Sequence, residues 1–168
     1  MAHRVAVIVL SDRAHAGEYA DGCIPAVKEA LPADRFEVDD ERILPDDAAA
    51  LQAALIELCE TGTRLVLTAG GTGLTARDRT PQATAAVLDF EVPGIAEVMR
   101  AASLRVTGAA MLSRAIAGVR NRSLIVNLPG SPKAVRETLG AIAGALPHAL
   151  DQLAGVATDA HPVGYHQT

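Results

Sequence analysis

Two aspartates and a cluster of three glycines carry the chemistry that this sequence offers. The run Leu65-Val66-Leu67-Thr68-Ala69-Gly70-Gly71-Thr72-Gly73 passes from apolar residues into glycines, and Arg77-Asp78-Arg79-Thr80-Pro81 follows it. Glycines at the carboxyl end of a strand let backbone N–H groups come close to an anion, and a helix N-terminus adds its positive pole. The pattern predicts a phosphate or nucleotide cradle, to which Thr72 adds a hydroxyl and an amide. Glycines also serve plain tight turns, so the neighbouring charges carry the weight. Thr80 is expected to cap the next helix with Pro81 at its first position, which leaves Asp78 in the loop. A carboxylate beside phosphates is repulsive unless a cation lies between them. A hard divalent ion such as Mg²⁺, taking one or two carboxylates plus phosphate oxygens, removes that conflict. Arg77 and Arg79 flank Asp78, able to pair with it or with phosphate.

Other loops share this character. Ser11-Asp12-Arg13 ends the first apolar run. Asp46, in Leu44-Pro45-Asp46-Asp47, stands at a helix start, where an N-cap role worth about 1 kcal/mol would explain it without any ligand; the same carboxylate could also hold a cation. Asn127-Leu128-Pro129-Gly130-Ser131-Pro132 repeats the strand, glycine turn and helix start, with Ser131 as the cap and the amides beside it suited to an anion. The five histidines show no metal-ligand spacing, and Cys23 and Cys59 form no CxxC. No nucleophile–histidine constellation stands out, so a covalent intermediate is not expected.

These loops need a scaffold, and the periodicity supplies one. Val5 to Leu10 is a continuous apolar run suited to a strand buried on both faces, followed by a polar loop to about Gly22. Helices are expected at Ile24 to Leu31, from Pro45-Asp46-Asp47 to Gly62, at Thr80 to Leu88, at Ile95 to Leu104 after an interruption at Pro93-Gly94, and at Pro132 to Ala145, with a last one from Pro147. Strands are expected at Phe36 to Leu44, Leu65 to Thr68, Ala115 to Val119 and Ser123 to Asn127. The alternation implies an α/β fold: a three-layer open, mostly parallel sheet with helices on both faces. Ligands in such folds bind beyond the carboxyl ends of the strands, where these loops converge.

With 168 residues the chain suits one domain, expected over 1–155, with a polar tail at 156–168. Hydrophobic residues make up 49% but aromatics only 2%, so the core is built of Ala, Val, Leu and Ile. The formal charge of −5 argues against a general nucleic-acid binder. No run approaches the ~20 apolar residues of a membrane span, and the N-terminal run is a strand rather than a signal segment. Two isolated cysteines fit a reducing cytoplasm.

Taken in order, Ser11-Asp12-Arg13, Leu44-Pro45-Asp46, Thr68 to Gly73, Arg77 to Pro81, Pro93-Gly94, Met111-Leu112-Ser113-Arg114 and Asn127 to Pro132 resemble the MogA/MoaB family of molybdenum cofactor biosynthesis, which includes the gephyrin G domain. The likeness spans roughly Val5 to Leu153 and is closer to MogA than to MoaB. It implies a molybdopterin adenylyltransferase that joins the terminal phosphate of molybdopterin to the AMP part of ATP, with Mg²⁺ present and pyrophosphate released. By position in the family motifs, Asp46 and Asp78 are the implied catalytic and metal-holding residues; Asp47 stands where the family often carries Glu. The implied binding residues are Ser11, Asp12, Arg13, Gly70, Gly71, Thr72, Gly73, Arg77, Thr80, Ser113, Asn127, Pro129, Gly130 and Ser131. A homotrimer and a MoeA-type molybdenum insertase as partner are implied in the same way. Two other functions stay open on the sequence: a molybdopterin-binding or scaffold module without turnover, and a CinA-like nucleotide pyrophosphatase.

Overall fold

The computed structural model describes residues 2–156. Six strands form one sheet in the order β2-β1-β3-β6-β5-β4. β1 (His3–Leu10), β2 (Phe36–Leu44), β3 (Leu65–Ala69) and β6 (Ser123–Leu128) run parallel, while β5 (Ala117–Arg120) and the two-residue β4 (Phe90–Glu91) add an antiparallel margin. β1, β3 and β6 are apolar along nearly their whole length because helices cover them on both faces. β2 lies at the edge and carries a charged run, Asp39 to Arg42, as expected of a strand that borders solvent.

Alternate residues of β1 divide between two cores. Val5, Val7 and Val9 pack with α2 (Cys23–Ala30), α6 (Pro132–Ile142) and α7 (Leu146–Ala154), and Met99 of α5 (Pro93–Leu104) joins them. Ala6, Ile8 and Leu10 face the opposite way, onto Leu51, Leu55 and Leu58 of α3 (Ala48–Glu60) and Ala83 of α4 (Thr80–Ala85). The period of two in the strand thus meets the helical period in two layers. Small aliphatic side chains bring helix and sheet close together, which is how a chain with almost no aromatic residues fills its interior.

The expected architecture is present, with local differences. The loop after β1 begins with a one-turn helix, α1 (Asp12–His15), capped by Ser11. Pro93 does not interrupt; it is the first residue of α5, where its missing N–H is harmless. α4 stops at Ala85 rather than Leu88, and Phe90–Glu91 then pairs with β5 as a strand too short to leave a periodic signal. β5 begins at Ala117, two residues later than expected, because Arg114 and Ser113 are held elsewhere. A 3-10 turn, Gly108–Leu112, precedes it. Beyond residue 156 the expected polar tail lies outside the described residues.

Candidate functional site

Strand order reverses direction between β1 and β3, so the crossover helices α2 and α3 leave to opposite faces and open a crevice at the carboxyl ends of these strands. The glycine loop sits in that crevice. Gly70 has φ +102°, and a Cβ there would lie 2.6 Å from the Leu10 carbonyl oxygen. Gly71 has φ +67°, and a Cβ there would collide with the Thr80 hydroxyl. Both positions therefore require glycine on conformation and on space. The loop is closed by Thr80 N–H donating to Gly71 C=O at 3.1 Å, and the Gly71 and Thr72 N–H groups find no acceptor among the described residues. Unpaired amides in a left-handed loop form a concavity suited to an anion.

One shoulder of the loop carries the acidic residues that follow β1 and β2. Asp12 N–H donates to the Asp46 carboxylate at 3.1 Å, and Asp46 N–H donates to the Asp12 carboxylate at 2.9 Å. The second Asp12 oxygen pairs with Arg77. The Asp46 amide and the Arg77 guanidinium hold the Asp12 carboxyl below its ordinary range. Asp46 was expected to be able to cap α3, yet the cap is Asp47, whose carboxylate accepts from Ala50 N–H at 2.7 Å. The bonds to Asp12 keep residue 46 in the loop and leave its other oxygen turned to a polar depression. That depression, about 490 Å³, is lined by Asp46, Asp47, Gln52, Arg77, Arg79 and Gln82 among others.

The other shoulder carries Asp78. Its Oδ2 accepts from the Thr75 hydroxyl at 2.7 Å and from Thr75 N–H at 2.8 Å. The Thr75 hydroxyl, with the Thr75 and Gly73 amides and the nearby Arg114, lowers the Asp78 pKa against a smaller opposing effect of burial. Arg114 staples this region: its N–H donates to Thr72 C=O at 3.0 Å, its Nε to Gly73 C=O at 2.7 Å and its Nη2 to Asp78 C=O at 2.6 Å. Thr80 does not cap α4; the cap position is Arg79, with no side-chain bond, and the buried Thr80 hydroxyl packs beneath Gly71 instead.

Beside this shoulder opens an apolar cavity of about 430 Å³. Thr72, Gly73 and Leu74 form one wall, Ala96, Met99 and Arg100 of α5 a second, the 3-10 turn with Ser113 a third, and Pro129 with Ala134, Glu137 and Thr138 of α6 a fourth. One continuous segment, Thr72 to Arg79, thus walls two recesses of opposite character.

The structure brings most of the expected residues to this region but not all. Gly130 sits against Gly70, 3.3 Å from its Cα for an added Cβ, and Ser131 caps α6 through Ala134 N–H at 3.3 Å. Ser11 is occupied as the cap of α1 and by a 3.0 Å bond to the Tyr19 hydroxyl. Arg13 turns outward, paired with Glu18 at 3.1 Å and stacked over Tyr19. Asn127, expected on the rim, is fully buried: its Nδ2 donates to Thr68 and Thr84 hydroxyls, each at 3.0 Å, and its Oδ1 accepts from Ile116 N–H. It sets the spacing of β3, β6 and α4 rather than facing a ligand. Arg100, Arg114 and Glu137 escaped the sequence reading. Arg114 stands next to Ser113 in a quoted motif, but a guanidinium that binds backbone carbonyls leaves no periodic or compositional trace.

No group of three or more His, Cys, Asp or Glu side chains gathers into a metal cage among the described residues. The donor set suits a cation that arrives with phosphate ligands of its own: Asp46 offers a carboxylate oxygen without a protein partner, and Mg²⁺ ordinarily takes only one or two carboxylates.

The chain is similar to known proteins over most of its length. A family model described as a probable molybdopterin binding domain matches residues 6–148. The molybdopterin adenylyltransferase of Escherichia coli K12 is 46% identical over 140 residues, covering 81% of this chain and 71% of that protein. The Haemophilus influenzae molybdopterin adenylyltransferase is 40% identical over 175 residues, covering 95% and 88% respectively. The crystal structure of the molybdopterin biosynthesis enzyme MoaB from Thermus thermophilus superposes with a TM-score of 0.86 at 47% identity, covering 91% of this chain and 97% of that one. A CinA protein from Thermoplasma acidophilum, 18% identical with a TM-score of 0.66, shares the fold alone. With its family motifs set around one crevice and the family match spanning most of its length, the chain belongs to the MogA/MoaB family of molybdopterin-binding domains.

Proposed function

We propose that this chain is a molybdopterin adenylyltransferase, transferring AMP from Mg-ATP to the terminal phosphate of molybdopterin, with residues 1–155 as the catalytic domain. The observation that carries the reading is the pair of recesses walled by Thr72 to Arg79. The apolar cavity of about 430 Å³ suits a flat heterocycle, and the polar depression with Arg77 and Arg79 suits a polyphosphate. Thr72 and Gly73 of the glycine loop wall the first and Arg77 and Arg79 the second, so the phosphates of two substrates would meet along this segment.

The chemistry needs alignment more than it needs a proton acceptor. The attacking oxygen of the pterin phosphate is already anionic. It forms a new bond to the α-phosphorus of ATP as the bond to the β-phosphate oxygen breaks, and pyrophosphate leaves with that electron pair. The barrier comes from bringing two polyanions together, which fixed amides and guanidinium groups lower by screening and orientation. Gly71 and Thr72 supply amides, and Arg77 and Arg79 supply charge. Asp46 and Asp78 are the residues that would hold Mg²⁺, which when bound neutralises phosphate charge. Asp12 orients Asp46, Ser113 and Pro129 border the pterin side, and Gly130 and Ser131 follow beside the glycine loop.

The family resemblance also supports a homotrimer. Exposed apolar side chains at Leu104, Val106, Met111 and Leu112 agree with a surface covered by other copies. A MoeA-type insertase is the fitting acceptor of the product. No helix among the described residues is long and apolar enough to cross a membrane, and both cysteines are buried free thiols, which supports a cytoplasmic enzyme.

The test is incubation of purified protein with molybdopterin and Mg-ATP, following adenylylated pterin and pyrophosphate together. Equal appearance of both, lost when the divalent ion is chelated, is the expected result. Tight pterin binding with neither product would leave a binding module, and ATP hydrolysis without pterin would favour a pyrophosphatase.

A further inference from the structure

The walls of the apolar cavity hold two charged side chains, Arg100 from α5 and Glu137 from α6. Most of the other polar groups around it are already engaged within the protein. The Thr138 hydroxyl donates to Ala134 C=O at 2.8 Å, the Thr107 hydroxyl accepts from Ala109 N–H at 3.3 Å, and the Ser113 hydroxyl accepts from Ala115 N–H at 3.3 Å. Arg100 gives its Nη1 to Ala115 C=O at 2.9 Å and to Ser113 C=O at 3.4 Å, which pins the guanidinium against the wall. Glu137 differs. Its carboxylate makes no hydrogen bond among the described residues, and its one ionic neighbour is the exposed Lys133, 3.9 Å away one helical turn back. Its side chain is only 26% exposed.

A half-buried carboxylate on an apolar cavity leaves acceptor lone pairs unmatched, which is costly unless the ligand supplies donors. A pterin ring supplies two parallel donors on one edge, the 2-amino group and the N3–H, spaced to meet both oxygens of one carboxylate. We propose that Glu137 is the specificity-determining residue of the cavity, accepting both hydrogen bonds from the amino–amide edge of the pterin, while Arg100 faces the ring carbonyl beside that edge. The proposal rests on the cavity being the pterin site. Thr72 and Gly73 wall the same cavity, so a ring held by Glu137 directs its phosphate-bearing side chain toward the glycine amides.

The decisive comparison uses two fluorescent probes, 6-hydroxymethylpterin and 6-hydroxymethyllumazine, which differ only in a C2 amino group replaced by a carbonyl. With wild-type protein the pterin binds about 10- to 100-fold more tightly, because the lumazine carbonyl would face the carboxylate and one charged hydrogen bond is lost. In Glu137→Gln the side-chain amide donates to the C2 carbonyl and accepts from N3–H, so the preference falls to about equal or reverses. In turnover, Glu137→Gln raises the KM for molybdopterin with kcat within about twofold and the KM for ATP unchanged, the signature of lost uniform binding. Ala134→Phe, which fills the cavity, weakens both probes by the same factor and leaves their ratio intact. A pterin-to-lumazine ratio that Glu137→Gln does not change overturns the assignment. Wild-type protein that binds neither probe, or Ala134→Phe that binds both normally, overturns the cavity reading and the assignment with it.

Discussion

Asp12 and Asp46 each hold the backbone amide of the other, so the carboxylate that faces the polar depression is fixed by a residue 34 positions away in the chain. Asp12→Ala removes that hold and leaves Arg77 without its partner. The expected result is a KM for ATP raised by about tenfold or more, with pterin binding unchanged in fluorescence titration. Asp78→Asn keeps the shape of the loop, because the amide oxygen can still accept from Thr75, but removes the charge. Transfer falls by at least about 100-fold while molybdopterin stays bound; a variant with near-normal kcat would remove Asp78 from the mechanism. Gly71→Ala meets both a positive φ and the Thr80 hydroxyl, so it costs about 1–3 kcal/mol in thermal unfolding and weakens nucleotide binding as well. At this scale the sequence placed the glycine loop and the aspartates around one crevice and misjudged some of their hydrogen-bond partners. Adjacent aspartates at Asp46 and Asp47 both fit a helix start, and only the bond from the distant Asp12 decides which one caps. Asn127 ends an expected strand and opens a run of loop-like residues, yet the Thr68 and Thr84 hydroxyls and the Ile116 amide claim its side chain.

The elements were largely legible because their periods are strong. Val5 to Leu10 and Leu65 to Ala69 are buried at every position, as a strand covered on both faces requires. The apolar stripe of α3 faces Ile8 and Leu10 as its spacing implies. What escaped was held by single side chains: the turn at Gly108–Leu112, capped by Thr107, and the late start of β5 beside Arg114, whose bonds also staple the expected loop after Gly73. Arg114→Lys tests this. One ammonium cannot reach the Gly73 and Asp78 carbonyls with the planar fork of a guanidinium. The variant should lose about 1–3 kcal/mol in denaturant unfolding. Amide hydrogen exchange should speed up in Thr72 to Asp78 before it does in the strands.

Carboxylates held low by their partners are spread over the whole molecule. Asp40 and Glu57 lie against Arg42, Glu29 against Arg136, Asp12 against the Asp46 amide and Arg77, and Asp78 against Thr75. Each has a lower pKa folded than unfolded, so its contribution is complete above the ordinary carboxylate range and is lost as pH falls through the folded value. Melting temperature should therefore stay level down to about pH 5 and decline below it. A decline that began above pH 6 would show that these carboxylates do not govern the acid limb. The strand order has a consequence for synthesis of the chain. β6 is the last of the described strands to be made, yet it sits between β3 and β5 near the middle of the sheet. Until residue 128 has left the ribosome, the apolar edge of β3 has nothing to pair with, and the β4–β5 pair has no sheet to join. A nascent chain in that interval presents an open, greasy sheet edge, the surface on which aggregation begins and which chaperones shield. The order of translation therefore leaves that edge uncovered for the whole time needed to make residues 70–128.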